Sequence, residues 1–176
     1  TGYADMDFRI DADINRCVKD NSPVFSSEPM VIRSIGQEVR YNLGATDIDG
    51  DEITYKIVAP IGGSYSAPYS KDYPFQCYGN SLVNSLKTNP VSGLNLNVLN
   101  GNIAFYPTTQ QISVLKVQIT TARVINGVYT VTGVTCRDLQ IIFYSGNNKT
   151  PRLVGAQEME ICAGESKCFT ILSKDS

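Results

Sequence analysis

Ile35-Gly36-Gln37-Glu38-Val39-Arg40-Tyr41-Asn42-Leu43-Gly44-Ala45-Thr46-Asp47 has a counterpart in Ala163-Gly164-Glu165-Ser166-Lys167-Cys168-Phe169-Thr170-Ile171-Leu172-Ser173-Lys174-Asp175. A shift of 128 residues places Gly36 on Gly164, Tyr41 on Phe169, Leu43 on Ile171 and Asp47 on Asp175, and it carries Pro23 onto Pro151. Glycine, aromatic, apolar residue, acid and proline all fall at one offset without a gap. The 176 residues therefore read as a window on a tandem array of β-domains. Residues 1–20 are expected to be the last strand of a preceding unit and its linker. Residues 21–146 form a whole unit, and 147–176 a linker with the first strands of a following one.

Strand patterns support an all-β fold. Phe8, Ile10, Ala12 and Ile14 alternate with polar residues, the period-2 mark of a strand with one buried face. Val18-Lys19-Asp20-Asn21-Ser22-Pro23 is a short polar linker. Val24 to Leu43 gives two short strands about Gly36, and Glu52 to Val58 a further strand. From Pro60 to Pro90 periodicity is lost. It returns at Leu94 to Val98, after which Asn100-Gly101 signals a tight hairpin turn into Ile103-Ala104-Phe105-Tyr106. The alternation of Val114 to Thr120 and a second Asn-Gly turn at Asn126-Gly127 lead into Val128 to Tyr144. No stretch shows helical periodicity. About seven strands with frequent turn signals predict an immunoglobulin-like β-sandwich, with a barrel or jelly roll as the alternative.

Composition excludes several functions. Fifteen Lys and Arg stand against 17 Asp and Glu, with neither sign clustered. A nucleic-acid partner needs a concentrated basic face, so none is expected. No apolar run is long enough to span a bilayer, so direct membrane insertion is not expected either. The chain has no His, which removes the usual general base and the commonest zinc ligand. Serines are plentiful but have no His to activate them, and neither Gly62-Gly63-Ser64 nor Gly101-Asn102 matches a phosphate loop or nucleophile elbow. An enzyme is not expected.

The five Cys (Cys17, Cys77, Cys136, Cys162, Cys168) show no metal-ligand spacing. Cys162 and Cys168 flank Gly164, and a disulfide closing that turn is expected, against a reduced pair as the alternative. Disulfides would place the protein outside the cytoplasm. Tyr65, Tyr69, Tyr73, Phe75 and Tyr78 crowd one long connection. They form either a contact surface for a ligand or a cover laid flat over the sandwich.

Asp47-Ile48-Asp49-Gly50-Asp51-Glu52 is the densest acidic cluster. Carboxylates at this density suit a hard cation such as Ca²⁺, although they also suit a solvated Asp-Gly turn. Asp20-Asn21-Ser22-Pro23-Val24-Phe25, followed by Gly44-Ala45-Thr46-Asp47-Ile48-Asp49 and a strand ending Tyr55-Lys56-Ile57, resembles a cadherin repeat. The resemblance implies Ca²⁺ between successive domains, held by Asp20, Asn21, Asp47 and Asp49, with Asp51 nearby. Ser34 and Ile35 stand where that family carries Glu, so its full three-ion site is not expected. Over the whole length, the chain is also similar to the repeats of large SprB-type cell-surface adhesins of gliding bacteria. The motifs are Asn-Ser-Pro-Val-Phe, Gly-Ala-Thr-Asp-x-Asp-Gly-Asp, Asn89 to Gly93, and an Asn-Gly turn before Cys136-Arg137-Asp138-Leu139-Gln140.

That likeness implies an extracellular, cadherin-like structural repeat on a bacterial surface, exported by type IX secretion and serving attachment or gliding motility. Its partners would be neighbouring repeats and a surface polysaccharide or another surface protein. A carbohydrate-binding module of a secreted enzyme is the alternative.

Overall fold

The computed structural model describes residues 9–60, 65, 68–79, 90–146, 152–155, 160–168 and 170–174. Among them the fold is all-β, without helix. The chain divides into two units, Thr1–Ser145 and Gly146–Ser176. The second linker residues Asn147 and Asn148 lie outside the described residues.

In the first unit, β9 (Gln111–Ile125) and β10 (Val128–Tyr144) form one long antiparallel ladder. Asn126 (φ 50°) and Gly127 (φ 79°) join them in the left-handed conformation that a two-residue hairpin requires. On the far side of β9, β6 (Glu52–Val58) pairs antiparallel, from Glu52 opposite Ala122 to Val58 opposite Lys116. The free edge of β10 takes two strands. β1 (Ile10–Ile14) runs antiparallel along Gly133 to Arg137, and β3 (Met30–Ser34) runs parallel along Gln140 to Tyr144. The sequence assigned residues 1–20 to a preceding unit. The structure instead places Ile10–Ile14 on this sheet, where its backbone satisfies an otherwise open edge.

A second antiparallel sheet has β8 (Asn102–Phe105) at its centre, between β4 (Val39–Asn42) and β7 (Asn95–Leu96). β2 (Val24–Phe25) and β5 (Ala45–Thr46) make a separate ribbon. The turn between β7 and β8 is longer than the Asn100-Gly101 pair suggested. Asn97 Oδ1 accepts from the Leu99 and Asn100 N–H groups, and Gly101 N–H donates to the Asn97 carbonyl. Gly101 itself has φ 71° and backs onto the Tyr55 ring, leaving no room for a Cβ.

Alternation on the long ladder turns Leu115, Val117 and Ile119 inward beside Leu139, Ile141 and Phe143. Val39, Ile103 and Phe105 from the second sheet complete one shared core with Phe75 and Leu94. Phe75, Phe105 and Phe143 meet with ring centroids 4.8, 5.3 and 5.6 Å apart, in the tilted and edge-to-face geometries that aromatic pairs prefer. Cys77 lies in the same core, where burial pushes its thiol up to about 11.

The second unit contributes β11 (Arg152–Val154) and β12 (Leu172–Lys174), paired antiparallel. Its register repeats that of the first unit. Val24 faces Thr46 and Phe25 faces Ala45, and 128 residues on Arg152 faces Lys174 and Leu153 faces Ser173. Gly36 and Gly164 both hold positive φ, 76° and 90°. Cys162 and Cys168 are separate, exposed thiols, so the disulfide expected from the sequence is absent from the structure. A backbone hydrogen bond, Glu165 N–H to the Cys162 carbonyl at 3.1 Å, closes the turn instead.

Removing the central ring should be costly. Phe105→Ala is expected to lower unfolding free energy by about 3–5 kcal/mol in urea titration. Ile112→Ala, at a position 59% exposed, should stay within about 0.5 kcal/mol of wild type.

Candidate metal centre

Three features bring the acidic residues together. The linker after β1 turns back toward β9 and β10, presenting Lys19, Asp20 and Asn21. The connection from β5 to β6 carries Asp47, Asp49 and Asp51, with Gly50 at φ 80°. The third feature is a bulge in β10: the register slips between Val131, opposite Ala122, and Gly133, opposite Thr121. Thr132 is therefore the extra residue, and the bulge turns its side chain into the interior.

Asp51 is the anchor. Its side chain is fully buried. One oxygen accepts from the Thr132 hydroxyl, which also lies 3.0 Å from the Thr121 hydroxyl. The other accepts from Arg123 Nη1 at 2.9 Å. The same Nη1 reaches Asp20 Oδ1 at 3.2 Å, and Nη2 donates to the Lys19 carbonyl at 2.6 Å. Arg123 thus ties the linker to β9. Thr132 contributes a second tie, its carbonyl accepting from Asn15 N–H at 2.8 Å.

Asp47 and Asp49 shape the loop. Asp47 Oδ1 accepts from the N–H groups of Asp49 (2.9 Å) and Asp51 (3.1 Å), the local bonding expected of Asp at a turn. Asp49 Oδ2 accepts from the backbone N–H (2.7 Å) and the side-chain amide (3.0 Å) of Asn21.

Carboxylate oxygens of Asp20, Asp47 and Asp49 lie within 4.8 Å of one another. Asp20 Oδ2 and Asp47 Oδ2 are buried and accept no hydrogen bond. Buried oxygens without donors are costly, and these belong to a cluster with the hard donor chemistry that a divalent cation takes. The three residues could hold a metal ion. Asp51, a candidate ligand from the sequence, has both oxygens engaged by Arg123 and Thr132. Asn21 serves as a donor to Asp49.

Electrostatics agree with this geometry. Burial, then the charges of Asp51 and Asp47, lift the Asp20 carboxyl above the ordinary aspartate range, with Arg123 opposing. The Asn21 backbone and side-chain bonds hold Asp49 below it.

The aromatic connection is mostly absorbed by the fold. Phe75 is a core residue, which corrects its placement on a ligand surface. Tyr69 and Tyr73 stack on each other at 5.7 Å and are half-buried, and Tyr65 donates to the Val114 carbonyl. Tyr78 alone of the five is well exposed, at 47%.

The chain matches no protein-family model, no curated protein and no solved structure.

Arg123→Gln should strand the buried Asp51 charge and cost about 3 kcal/mol, the lower end for a broken buried pair because Arg123 is itself partly exposed. The carboxyl titrations carry a second test. Asp20, with its raised value, favours the fold below that value and opposes it once ionised. Asp49 favours the fold when ionised, and that contribution is lost as pH falls through its depressed value. Carboxyl NMR in metal-free buffer should find Asp20 titrating above Asp49, with Asp20 moving further up in Arg123→Gln.

Proposed function

We propose that the chain is part of an extracellular array of immunoglobulin- or cadherin-like sandwiches, serving as a structural and adhesive segment of a bacterial surface filament. The observation that carries this reading is the pairing register of β2 with β5, repeated 128 residues on by β11 with β12. Strand order adds support. The β4-β8-β7 sheet faces a sheet in which β6, β9 and β10 are neighbours, and the chain crosses from the first sheet's side at β2 to pair in parallel with the last strand at β3. That is the plan of an immunoglobulin-like sandwich. The carbohydrate-module alternative has less support, since four of the five loop aromatics are packed. Surface labelling of intact cells with antibody against this chain, removable by mild protease, is the expected result. Labelling only after permeabilisation would overturn the reading.

Within this reading the ion at Asp20, Asp47 and Asp49 is Ca²⁺, fixing the linker against the loop that follows β5. So few carboxylates predict a dissociation constant of ~10⁻⁴–10⁻³ M, as in extracellular modules. At ten times that concentration, binding adds about 1.4 kcal/mol, or a rise in Tm of about 3–5 °C for a unit of this size. Chelator should reverse the rise, Asp47→Ala should abolish it, and affinity should fall as pH drops toward the raised Asp20 value. No calorimetric heat at several millimolar Ca²⁺ would leave the cluster an ordinary acidic turn.

A further inference from the structure

On the outer face of the β9–β10 ladder sits a second cluster, remote in register from the acidic loop. Lys116 stands directly opposite Asp138, and Asp11 of β1 lies opposite Cys136, one step along the same face. The Lys116 side chain is 1% exposed, an unusual state for an amine on the face that alternation assigns away from the core. Its Nζ contacts Asp11 Oδ2 directly and lies 3.9 Å from Asp138 Oδ1. Asp138 is itself buried, with Oδ2 held by the Arg9 backbone N–H at 3.0 Å, while Oδ1 accepts no hydrogen bond.

We propose that these residues form an intramolecular amide, Lys116 Nζ joined to Asp11 Cγ, with Asp138 carrying the proton between them. An ammonium and carboxylate taken out of water lose solvation that their mutual attraction only partly returns. Transfer of the proton gives a neutral amine beside a neutral carboxylic acid, the nucleophile and electrophile of amide formation. The Nζ lone pair attacks Asp11 Cγ, and the N–C bond forms. Asp138 takes a proton from the nitrogen and delivers it to the departing hydroxyl. The C–O bond breaks, one water leaves, and Asp138 returns to its starting state. Ammonium plus carboxylate thus becomes amide plus water, and no oxidant or other reactant is needed.

Two further features fit these roles. Burial raises the Asp138 carboxyl above the ordinary range, against the opposing Arg9 N–H and Lys116 charge, which suits a group that must hold a proton. Burial also lifts the neighbouring Cys136 thiol, which keeps it protonated and out of competition as a nucleophile. The product would close a covalent ring between β1 and β9 across 105 residues of sequence. It would bolt the strand that covers the β10 edge to the middle of the sheet.

The test is the intact mass of the full, purified chain under reducing, denaturing conditions. The expected mass is lower than that of the sequence by one water, and digestion should give a branched peptide joining the segments around Asp11 and Lys116. Lys116→Met and Asp138→Asn should restore the full mass, a change that loss of a plain ion pair cannot produce. Full sequence mass in the folded wild-type chain would overturn the proposal. So would a water loss that maps to Asp49-Gly50 cyclisation, or a Lys116 branch ending on Asp138. A branch that survives in Asp138→Asn would remove Asp138 from the reaction. The wild-type measurement decides the main point even if a variant fails to fold, and it does not depend on the proposed cellular role.

Discussion

β10 presents 17 residues, and β9 covers only one of its two edges. An open edge of that length would be a template for uncontrolled pairing. The chain covers it in two pieces of opposite direction. β1 lies antiparallel on the half near the hairpin, and β3 lies parallel on the other half. At their junction, Asp138 N–H donates to the Arg9 carbonyl and Gln140 N–H to the Pro29 carbonyl. An antiparallel piece followed by a parallel one requires the chain to leave the edge, turn, and come back. Residues 15–29 make that excursion, and in doing so they pass the bulge at Thr132, the loop after β5, and the ribbon with β5. The acidic site is where it is because the edge of β10 had to be covered twice.

That route places four carboxylates around one guanidinium. At the effective dielectric of a protein surface, two unit charges about 4 Å apart interact by roughly 4 kcal/mol, so the arrangement needs compensation on both sides of Asp20. Arg123 supplies it on the Asp51 side with the planar, forked donor geometry that lysine lacks. The Asp47 and Asp49 side has only N–H donors, and Asp20 Oδ2 and Asp47 Oδ2 remain bare. A bound cation and Arg123 are therefore partners and not rivals. Asp20 would give Oδ1 to the guanidinium and Oδ2 to the ion, and the linker would be gripped from two directions.

Much of this was legible in the residues. Alternation in β9 and β10 marked the core face, Asn126-Gly127 marked the hairpin, and the acidic loop announced itself. Other features were hidden for physical reasons. The signal at Ile10 to Ile14 is the same whichever sheet the strand joins, so its partner could not be read. The aromatic connection pairs through isolated bridges, Ser70 with Tyr73 and Cys77 with Pro107, which leave no period to detect. Thus Phe75 looked like a loop residue although it fills the core. Arg123 meets Asp20 across 103 residues, beyond the reach of any local pattern. Lys116 followed the rule for an outward-facing position and is nevertheless buried.

The two copies of the opening ribbon show what the repeat preserves. In the first, Gly44 at φ 62° sits so close to Ser26 that a Cβ would collide with the Ser26 hydroxyl. In the second, the corresponding residues are Leu172 and Val154, and these two simply pair, extending the ribbon by a third residue on each strand. The side chains differ at nearly every position of the ribbon, yet the register is the same. Packing cannot be what fixes it. What both copies share is a positive-φ glycine, Gly36 or Gly164, at the same distance along the chain from each strand. Turn position sets the register of the strands it connects. A unit built this way can change its surface from copy to copy while its opening strands meet in the same alignment, a useful property in a repeated module.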